Sequence, residues 1–259
     1  MKTMIITGGS SGIGKATAEM FAKNNYRVYE LSRHGESSEG ITHIDCDVTK
    51  PEDCKAAVSQ VMTECGTIDL LISNAGMGIS GAVEFTELSE VKRQFDVNFF
   101  GALNIAQAVL PHMRERRSGR IIFVSSMMAA FSLPFQAFYS ASKSAINSLA
   151  LAMRNELAPF GIEVCLLMPG DVKTGFTDAR KKNMVGSDIY THMEKAVSTM
   201  EHDEQHGITP ERMARKLLSL ANAKHPDAVC TVGWQYKLFL FLGRLVPTTL
   251  AYKIVGKMY

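Results

Sequence analysis

The chain lacks an excess of charge of either sign. Its 259 residues include 28 basic and 26 acidic side chains, for a formal net charge of +2. Binding to nucleic acid needs a strong or clustered positive charge, so this balance argues against such partners. The five cysteines are an odd number and form no C-x-x-C pair. Free thiols in a reducing compartment, and hence a cytoplasmic protein, are therefore expected.

Long apolar runs are also missing. None approaches the roughly 18 residues that a membrane span needs, and the closest, 238–243, is bounded by Lys237 and Arg244. No secretory leader is expected, since residues 2–7 already have the pattern of a strand. His202 and His206 are four residues apart, but no further metal ligand accompanies them. A soluble protein that binds no metal is expected.

What the sequence does contain is a regular alternation of strand and helix patterns. Several strand segments, such as 121–124, are almost continuously apolar, which is typical of parallel strands buried on both faces. The alternation predicts an α/β fold, a doubly wound, Rossmann-like parallel sheet with helices on both faces, as a single domain over 1–259. The predicted strands are 2–7, 27–32, 41–46, 69–73, 119–125, 162–168 and 228–232, and the predicted helices are 12–24, 51–65, 87–116, 137–159, 209–223 and 235–255.

A glycine-rich turn at 7–14 (TGGSSGIG) follows the first strand and opens the first helix. Glycines allow a tight turn and a close approach to a pyrophosphate, and the helix N-terminus offers free N–H groups. The spacing G-x-x-x-G-x-G differs from the more familiar G-x-G-x-x-G. The strand-before, helix-after context still favours a dinucleotide site over a flexible loop. The expected contacts are Gly8, Ser10, Ser11, Gly12, Ile13 and Gly14.

The end of the second strand bears on cofactor choice. It reads Leu31-Ser32-Arg33-His34, without an acid in the first loop positions. An acid there would accept from the ribose hydroxyls, whereas a basic residue would meet a 2′-phosphate. Arg33 therefore favours NADP(H), with NAD(H) as the alternative and a solvated loop arginine as the non-binding interpretation. Further candidate cofactor contacts follow the third strand (Asp47 and Val48) and the fourth (Asn74, Ala75 and Gly76). Each is a weak signal alone, because Asp and Asn-Ala-Gly are common in turns.

Tyr139 and Lys143 are four residues apart in a helical pattern, so their side chains share a face. A tyrosine pKa of about 10 is too high for acid–base work at neutral pH, and a nearby ammonium lowers it. Ser126, at the end of the preceding strand, could bond a substrate oxygen. Asn98, a polar residue among apolar ones, is either a core amide bonded to backbone or a kink that holds a water in a proton relay with Lys143.

Taken in order, these motifs resemble those of the short-chain dehydrogenases/reductases over roughly residues 2–175, and less specifically to about 232. The resemblance implies that Tyr139 is the general acid/base and that Lys143 lowers its pKa and holds the nicotinamide ribose. It implies that Ser126 orients the substrate oxygen and that Asn98 supports a proton relay. The contacts implied at the nicotinamide end are Pro169, Gly170, Val172 and Thr174, and the implied reaction moves a hydride between a nicotinamide cofactor and a carbonyl or alcohol.

Two segments have less specific patterns. Residues 174–208, irregular and rich in charge and Met, are a candidate substrate lid, and the basic run 180–182 within them reads as a solvated face. Residues 233–259 form an apolar, amphipathic C-terminal extension. It lies on a membrane, walls an apolar substrate pocket, or packs on the core or a second subunit. The extension disfavours the tetramers of related proteins, so a homodimer through helices 87–116 and 137–159 is expected.

The segment between Ser126 and Tyr139 favours an apolar small-molecule substrate. It carries Met127, Met128, Phe131, Leu133, Phe135 and Phe138. The main hypothesis is an NADP(H)-dependent reductase of a steroid-, lipid- or acyl-like ketone or aldehyde, or the reverse oxidation. One rival is an acyl-carrier β-ketone reductase, in which residues 180–182 would meet the acidic carrier. The other is a non-catalytic nicotinamide-binding regulatory protein, against which the intact Ser126, Tyr139 and Lys143 argue.

Overall fold

The computed structural model describes residues 1–243 and 245–259. Arg244, which was named above as one boundary of the apolar run 238–243, lies outside the described residues. Within them the chain forms nine strands and ten α-helices. The strands are β1 (Lys2–Thr7), β2 (Tyr26–Ser32), β3 (Ile41–Asp45), β4 (Leu70–Ser73), β5 (Ile79–Ser80), β6 (Gly119–Val124), β7 (Ile162–Leu167), β8 (Lys181–Lys182) and β9 (Val229–Cys230). The helices are α1 (Gly12–Ala22), α2 (Pro51–Cys65), α3 (Leu88–Phe95), α4 (Gly101–Arg116), α5 (Ala137–Leu157), α6 (Phe176–Ala179), α7 (Met193–Gln205), α8 (Pro210–Asn222), α9 (Trp234–Leu242) and α10 (Thr248–Met258).

The main sheet has seven parallel strands in the order β3-β2-β1-β4-β6-β7-β9. Alternate residues along β1 enter two separate apolar cores, Ile5 on the face of α2, α4 and α5, and Met4 and Ile6 on the face of α1 and α8. Burial on both faces explains the continuously apolar strands. The strand order reverses between β1 and β4, and open α/β sheets bind ligands at the carboxyl ends of such strands. The predicted fold class is confirmed.

Two predicted helices are not regular α-helices over their whole length. The predicted helix over 87–116 is present as a continuous helical run, but Asp96–Phe100 form a π-helical turn within it, between α3 and α4. Such turns insert a residue into the helical ladder and redirect the side chains around them. The prediction of one helix over 235–255 is wrong, since α9 ends at Leu242 and α10 begins after Pro247, which has no N–H to continue a helix.

The segment 174–208 is more ordered than the sequence predicted. It contains α6, β8 and α7, and β8 pairs with β5 in a second, two-stranded sheet. The prediction of a solvated basic face at 180–182 is wrong for Arg180, which is buried and ion-paired with Glu204 of α7. The exposed Lys181 and Lys182 form ion pairs with Glu90 and Glu201 respectively.

Candidate active site

A cavity of about 1250 Å³ opens at the carboxyl ends of the central strands, at the switch point. All of the predicted catalytic and cofactor-contacting residues line this cavity except Gly14 and Asn98. Gly14 lies directly behind the glycine turn, where an added Cβ would be 2.1 Å from the Gly8 oxygen. Asn98 is fully buried behind Gly76. Within the described residues, no group of three potential metal ligands is found.

The glycine turn has the shape of an anion cradle. Gly8 and Gly12 have φ values of +65° and +52°, which only glycine adopts readily. An added Cβ on Gly8 would be 2.9 Å from Cα of Ala75. Helix α1 follows Ser11, whose side chain forms no capping hydrogen bond, so the first-turn N–H groups stay available to an anion. A dinucleotide pyrophosphate fits this cradle.

Asn74 and Thr7 hold the cradle in place. The Asn74 amide nitrogen donates to the oxygens of Thr7 (3.1 Å) and Gly8 (3.0 Å). The Thr7 hydroxyl oxygen in turn accepts from the backbone N–H groups of Asn74 (3.0 Å) and Ala75 (3.1 Å). A motif that is weak as a sequence signal thus joins the end of β4 to the turn after β1.

Glu30 is a further part of the cradle, which the sequence analysis missed. Its buried carboxylate accepts the Gly9 N–H at 2.9 Å and lies 2.5 Å from Nδ1 of His43. A Cβ on Gly9 would be 2.4 Å from Cγ of Glu30. Both carboxylate oxygens of this acid are therefore engaged below the turn, while Arg33 lies exposed at the cavity wall. The signal that could have revealed Glu30 in the sequence is an acidic residue inside the largely apolar strand β2.

Tyr139 and Lys143 share a face of α5, as predicted, and both are buried. Nζ of Lys143 donates to the Val124 oxygen at 3.0 Å and lies 5.8 Å from the centroid of the Tyr139 ring. Burial lowers the pKa of Lys143 to about 8. Burial also raises the pKa of Tyr139 to about 12, and the charge that opposes this rise is that of Arg180. That Lys143 also lowers the pKa of Tyr139 stays a prediction.

Ser126 and Asn98 each bond a residue of α5, the helix that carries this pair. The Ser126 hydroxyl accepts the Met128 N–H at 3.1 Å, and its hydrogen bond to Tyr139 lowers the Tyr139 pKa. Asn98 sits in the π-helical turn, where its amide bonds both backbone groups of Met77 at 2.8 and 3.0 Å and the Ser142 hydroxyl at 3.0 Å. Both the kink and the backbone-bonded amide are present, and the proton relay stays a prediction.

A buried ion pair from the 174–208 segment lies beside Tyr139. Arg180 contacts Glu204 at 2.5 Å, and the Thr177 hydroxyl donates to the same carboxylate at 2.7 Å. The Arg180 guanidinium lies 5.4 Å from the centroid of the Phe176 ring, which is itself 5.8 Å from that of Tyr139. Nε and Nη1 of Arg180 are buried without a hydrogen-bond partner in the structure. The pair therefore brings an incompletely bonded cation close to the reacting tyrosine.

The C-terminal extension walls the cavity, as one of the sequence alternatives proposed. The Tyr236 hydroxyl donates to the Asp171 carboxylate at 2.6 Å and accepts the Asp171 N–H at 3.0 Å. Its ring packs over Gly170, where a Cβ would lie 2.1 Å away. Residues of α9, of α10 and of the connection between them line the cavity, among them Phe239, Leu242, Val246, Ile254 and Val255.

The predicted apolar wall is confirmed in part. Of the six apolar residues between Ser126 and Tyr139, the four that line the cavity are Met127, Met128, Phe131 and Leu133. Phe135 instead packs against Tyr190 and His192, with ring centroids 6.1 and 5.2 Å away. Phe138 is not among the lining residues. Together with the C-terminal extension, the four residues enclose an apolar space next to Tyr139.

Comparisons with known proteins agree with this geometry. Residues 2–185 match the family model described as short chain dehydrogenase. The chain is 39% identical over 234 residues to a 3-ketodihydrosphingosine reductase of Bacteroides thetaiotaomicron, covering 89% of this chain and 87% of that protein. It resembles the crystal structure of a short-chain dehydrogenase from Streptomyces avermitilis with a TM-score of 0.82 and 28% identity, covering 94% and 92% of the two chains. It also resembles ElxO with NADP bound, with a TM-score of 0.77 and 26% identity over 92% and 99%.

The match covers the parts of the chain that build the site. Residues 2–185 contain the glycine turn, Asn74, Ser126 and the helix that carries Tyr139 and Lys143. The chain therefore belongs to the short-chain dehydrogenase/reductase family and is an oxidoreductase, and this family binds NAD(P)(H).

Proposed function

We propose that this chain is an NADP(H)-dependent reductase of a ketone within a long, apolar, lipid-like molecule. The observation that carries the proposal is the apolar space beside Tyr139, which is lined by residues of α9 and α10 and by Met127, Met128, Phe131 and Leu133. The resemblance to a 3-ketodihydrosphingosine reductase supports the same substrate class. A polar sugar would leave its hydroxyls without partners against such a wall.

The proposed reaction uses the buried polar groups in defined roles. The cofactor, when bound, supplies the hydride that adds to the carbonyl carbon. The Tyr139 hydroxyl gives its proton to the carbonyl oxygen, and Ser126 donates a hydrogen bond to that oxygen as its negative charge develops. The buried Arg180 stabilises the phenolate that Tyr139 becomes. Lys143 bonds the nicotinamide ribose, and Asn98 supports the return of the proton to Tyr139.

Arg33 and Glu30 support NADP(H) over NAD(H). The carboxylate of Glu30 is engaged by Gly9 and His43, so it is not free to accept from the adenosine ribose hydroxyls. The exposed guanidinium of Arg33 lies at the cavity wall, where a 2′-phosphate would meet it. The other expected cofactor contacts are those of the glycine turn, Asp47 and Val48, the Asn74–Gly76 turn and the segment from Pro169 to Thr174.

A cytoplasmic location and a homodimer are proposed from the state of the cysteines and from exposed apolar side chains. The five cysteines are free thiols, four of them buried, in keeping with a cytoplasmic protein. Phe100 directly before α4 and Leu151 on α5 are exposed apolar side chains. They support a homodimer through the helices in 88–116 and α5, which light scattering on the purified protein would test against a monomer or tetramer.

The test is oxidation of NADPH and of NADH against a carbonyl panel. The panel includes 3-ketodihydrosphingosine, a steroid ketone, a β-ketoacyl carrier and a polar sugar. NADPH-dependent turnover of the lipid-like ketones, lost in Tyr139→Phe, is expected. Turnover confined to the carrier substrate would favour the acyl-carrier alternative. Cofactor binding without turnover of any substrate would favour the regulatory one.

A further inference from the structure

We propose that the C-terminal helix pair, α9 and α10, docks on an anionic lipid surface and holds the mouth of the active-site cavity against it. The lipid-like substrate rests on the proposed function, but the docking itself does not depend on catalysis. No helix in the described part of the chain is long and apolar enough to cross a membrane. The interaction is therefore with the surface of the bilayer.

The outer face of the pair is apolar. Trp234, Leu238 and Phe241 follow one another at helical spacing along α9, and Leu245 continues their stripe beyond its end. All four are exposed, Trp234 by 75%. On α10, Leu250, Ile254 and Met258 form an equivalent stripe of exposed side chains. Helix α9 is apolar on most of its surface and α10 is amphipathic, and exposed apolar helices of this kind are suited to a membrane interface.

The charge of this segment selects the partner. Residues 234–259 contain no Asp or Glu, and their basic side chains are Lys237, Arg244, Lys253 and Lys257. The three lysines are exposed next to the apolar stripes. A second copy of this chain docked face to face would bring like charges together without acids to pair them. An anionic lipid surface complements both the apolar side chains and the lysines.

The pair also forms the mouth of the cavity. The side chains that both line the cavity and are exposed are Phe239, Leu242, Ile254 and Met258, and the partly buried Val255 lines it as well. Docking through the outer stripes would therefore place the opening at the lipid surface. A long-chain ketone could then pass from the bilayer to Tyr139 without its apolar chain crossing water.

The first test uses Trp234, the chain's single tryptophan. Phosphatidylcholine vesicles with 30% phosphatidylglycerol are titrated into the full-length protein. A blue shift of the emission and its quenching by brominated lipid are expected. Pure phosphatidylcholine should bind about 100-fold more weakly, since each lysine near an anionic surface contributes about a fivefold factor, and 0.5 M salt should reduce the difference. Absence of a shift with anionic vesicles would overturn the proposal.

Two matched double variants test whether vesicle binding depends on the outer face of the helix pair or on any exposed apolar side chain. Phe241→Glu/Leu245→Glu changes side chains that are 59% and 65% exposed and do not line the cavity. Val185→Glu/Ile189→Glu changes side chains that are 61% and 65% exposed elsewhere. The first variant should lose vesicle binding at least tenfold while keeping turnover of a short, water-soluble ketone, and the second should bind like the wild type. Equal binding by both variants would overturn the proposal.

Two further outcomes separate the alternatives. If the Trp234 emission is blue-shifted without vesicles and moves red on dilution as the mass halves, a second copy covers the face and the lipid proposal is wrong. If vesicles bind but long-chain ketones are not reduced, the docking stands and the proposed substrate fails. If long-chain ketones are reduced but vesicles do not bind, the proposed substrate stands and the docking proposal is wrong.

Discussion

The buried ion pair between Arg180 and Glu204 gives the sharpest prediction for stability. Replacing Arg180 with Met leaves the buried Glu204 carboxylate with Thr177 as its hydrogen-bond donor. Removing one partner of a buried ion pair costs about 3–5 kcal/mol, because the remaining charge stays desolvated. We expect the free energy of unfolding, measured by urea denaturation at pH 7, to fall by about 3 kcal/mol or more.

A double variant tests the reason for that loss. Arg180→Met/Glu204→Gln removes both charges and keeps an oxygen that can accept from Thr177. It should recover most of the loss, to within about 1–2 kcal/mol of the wild type, since an uncharged pair has little desolvation to offset. A loss below about 1 kcal/mol in Arg180→Met, or no recovery in the double variant, would refute the reasoning.

Removing the charge of Arg180 and removing that of Glu204 should displace the pH profile of alcohol oxidation in opposite directions. Arg180 lowers the pKa of Tyr139 and Glu204 raises it. Oxidation of the alcohol needs deprotonated Tyr139, so its rate should rise at higher pH in Arg180→Met and at lower pH in Glu204→Gln. A purely structural role would reduce both rates without opposite displacements. Profiles that move together would show that the pair does not act on Tyr139 through its charge.

Three further predictions concern the site and its cradle. Tyr139→Phe should lower turnover by at least about 100-fold and leave NADPH binding unchanged in a fluorescence titration; equal residual activity would contradict the proposed acid. Arg33→Ala should raise the KM for NADPH by about 10- to 100-fold, the value of a charge-assisted hydrogen bond, and leave that for NADH unchanged. Burial opposes protonation of His43, but its hydrogen bonds to Glu30 and Asp45 raise its pKa above the unfolded value. The stabilisation is then complete below about pH 6.5 and is lost as pH rises through the raised pKa; urea midpoints from pH 6 to 8 should fall in the wild type and be flatter in His43→Gln.

The sheet and the cofactor turn could be predicted because their signals are local. Strands buried on both faces read as short apolar runs, and the glycines of 7–14 are adjacent in the chain. Tyr139 and Lys143 lie one helical turn apart, so their shared face follows from spacing alone. The π-helical turn at Asp96–Phe100 has only a weak signal, the polar Asn98 among apolar residues, because one inserted residue scarcely disturbs the apolar pattern on either side.

The missed features are polar pairs between distant parts of the chain. Arg180 stands in a basic run, and its partner Glu204 is 24 residues further on. Glu30 bonds the Gly9 N–H, and Tyr236 bonds Asp171 across 65 residues. A charge in a sequence is read as exposed unless its partner is visible nearby. Glu30 could be noticed as an acid inside an apolar strand, but the partners in these pairs could be recognised only once the fold had brought them together.

The groups proposed for the chemistry and the residues that shape the cavity lie largely in different parts of the chain. The groups proposed for hydride and proton transfer all lie within residues 2–185, the span that matches the family. Glu204, Tyr236 and the helices α9 and α10 lie beyond it, and they supply the wall and mouth of the cavity. Glu204 still reaches Tyr139 electrostatically through Arg180. A change in the C-terminal third can therefore alter both the shape of the cavity and the pKa of Tyr139, without touching the groups proposed to transfer the hydride and the proton.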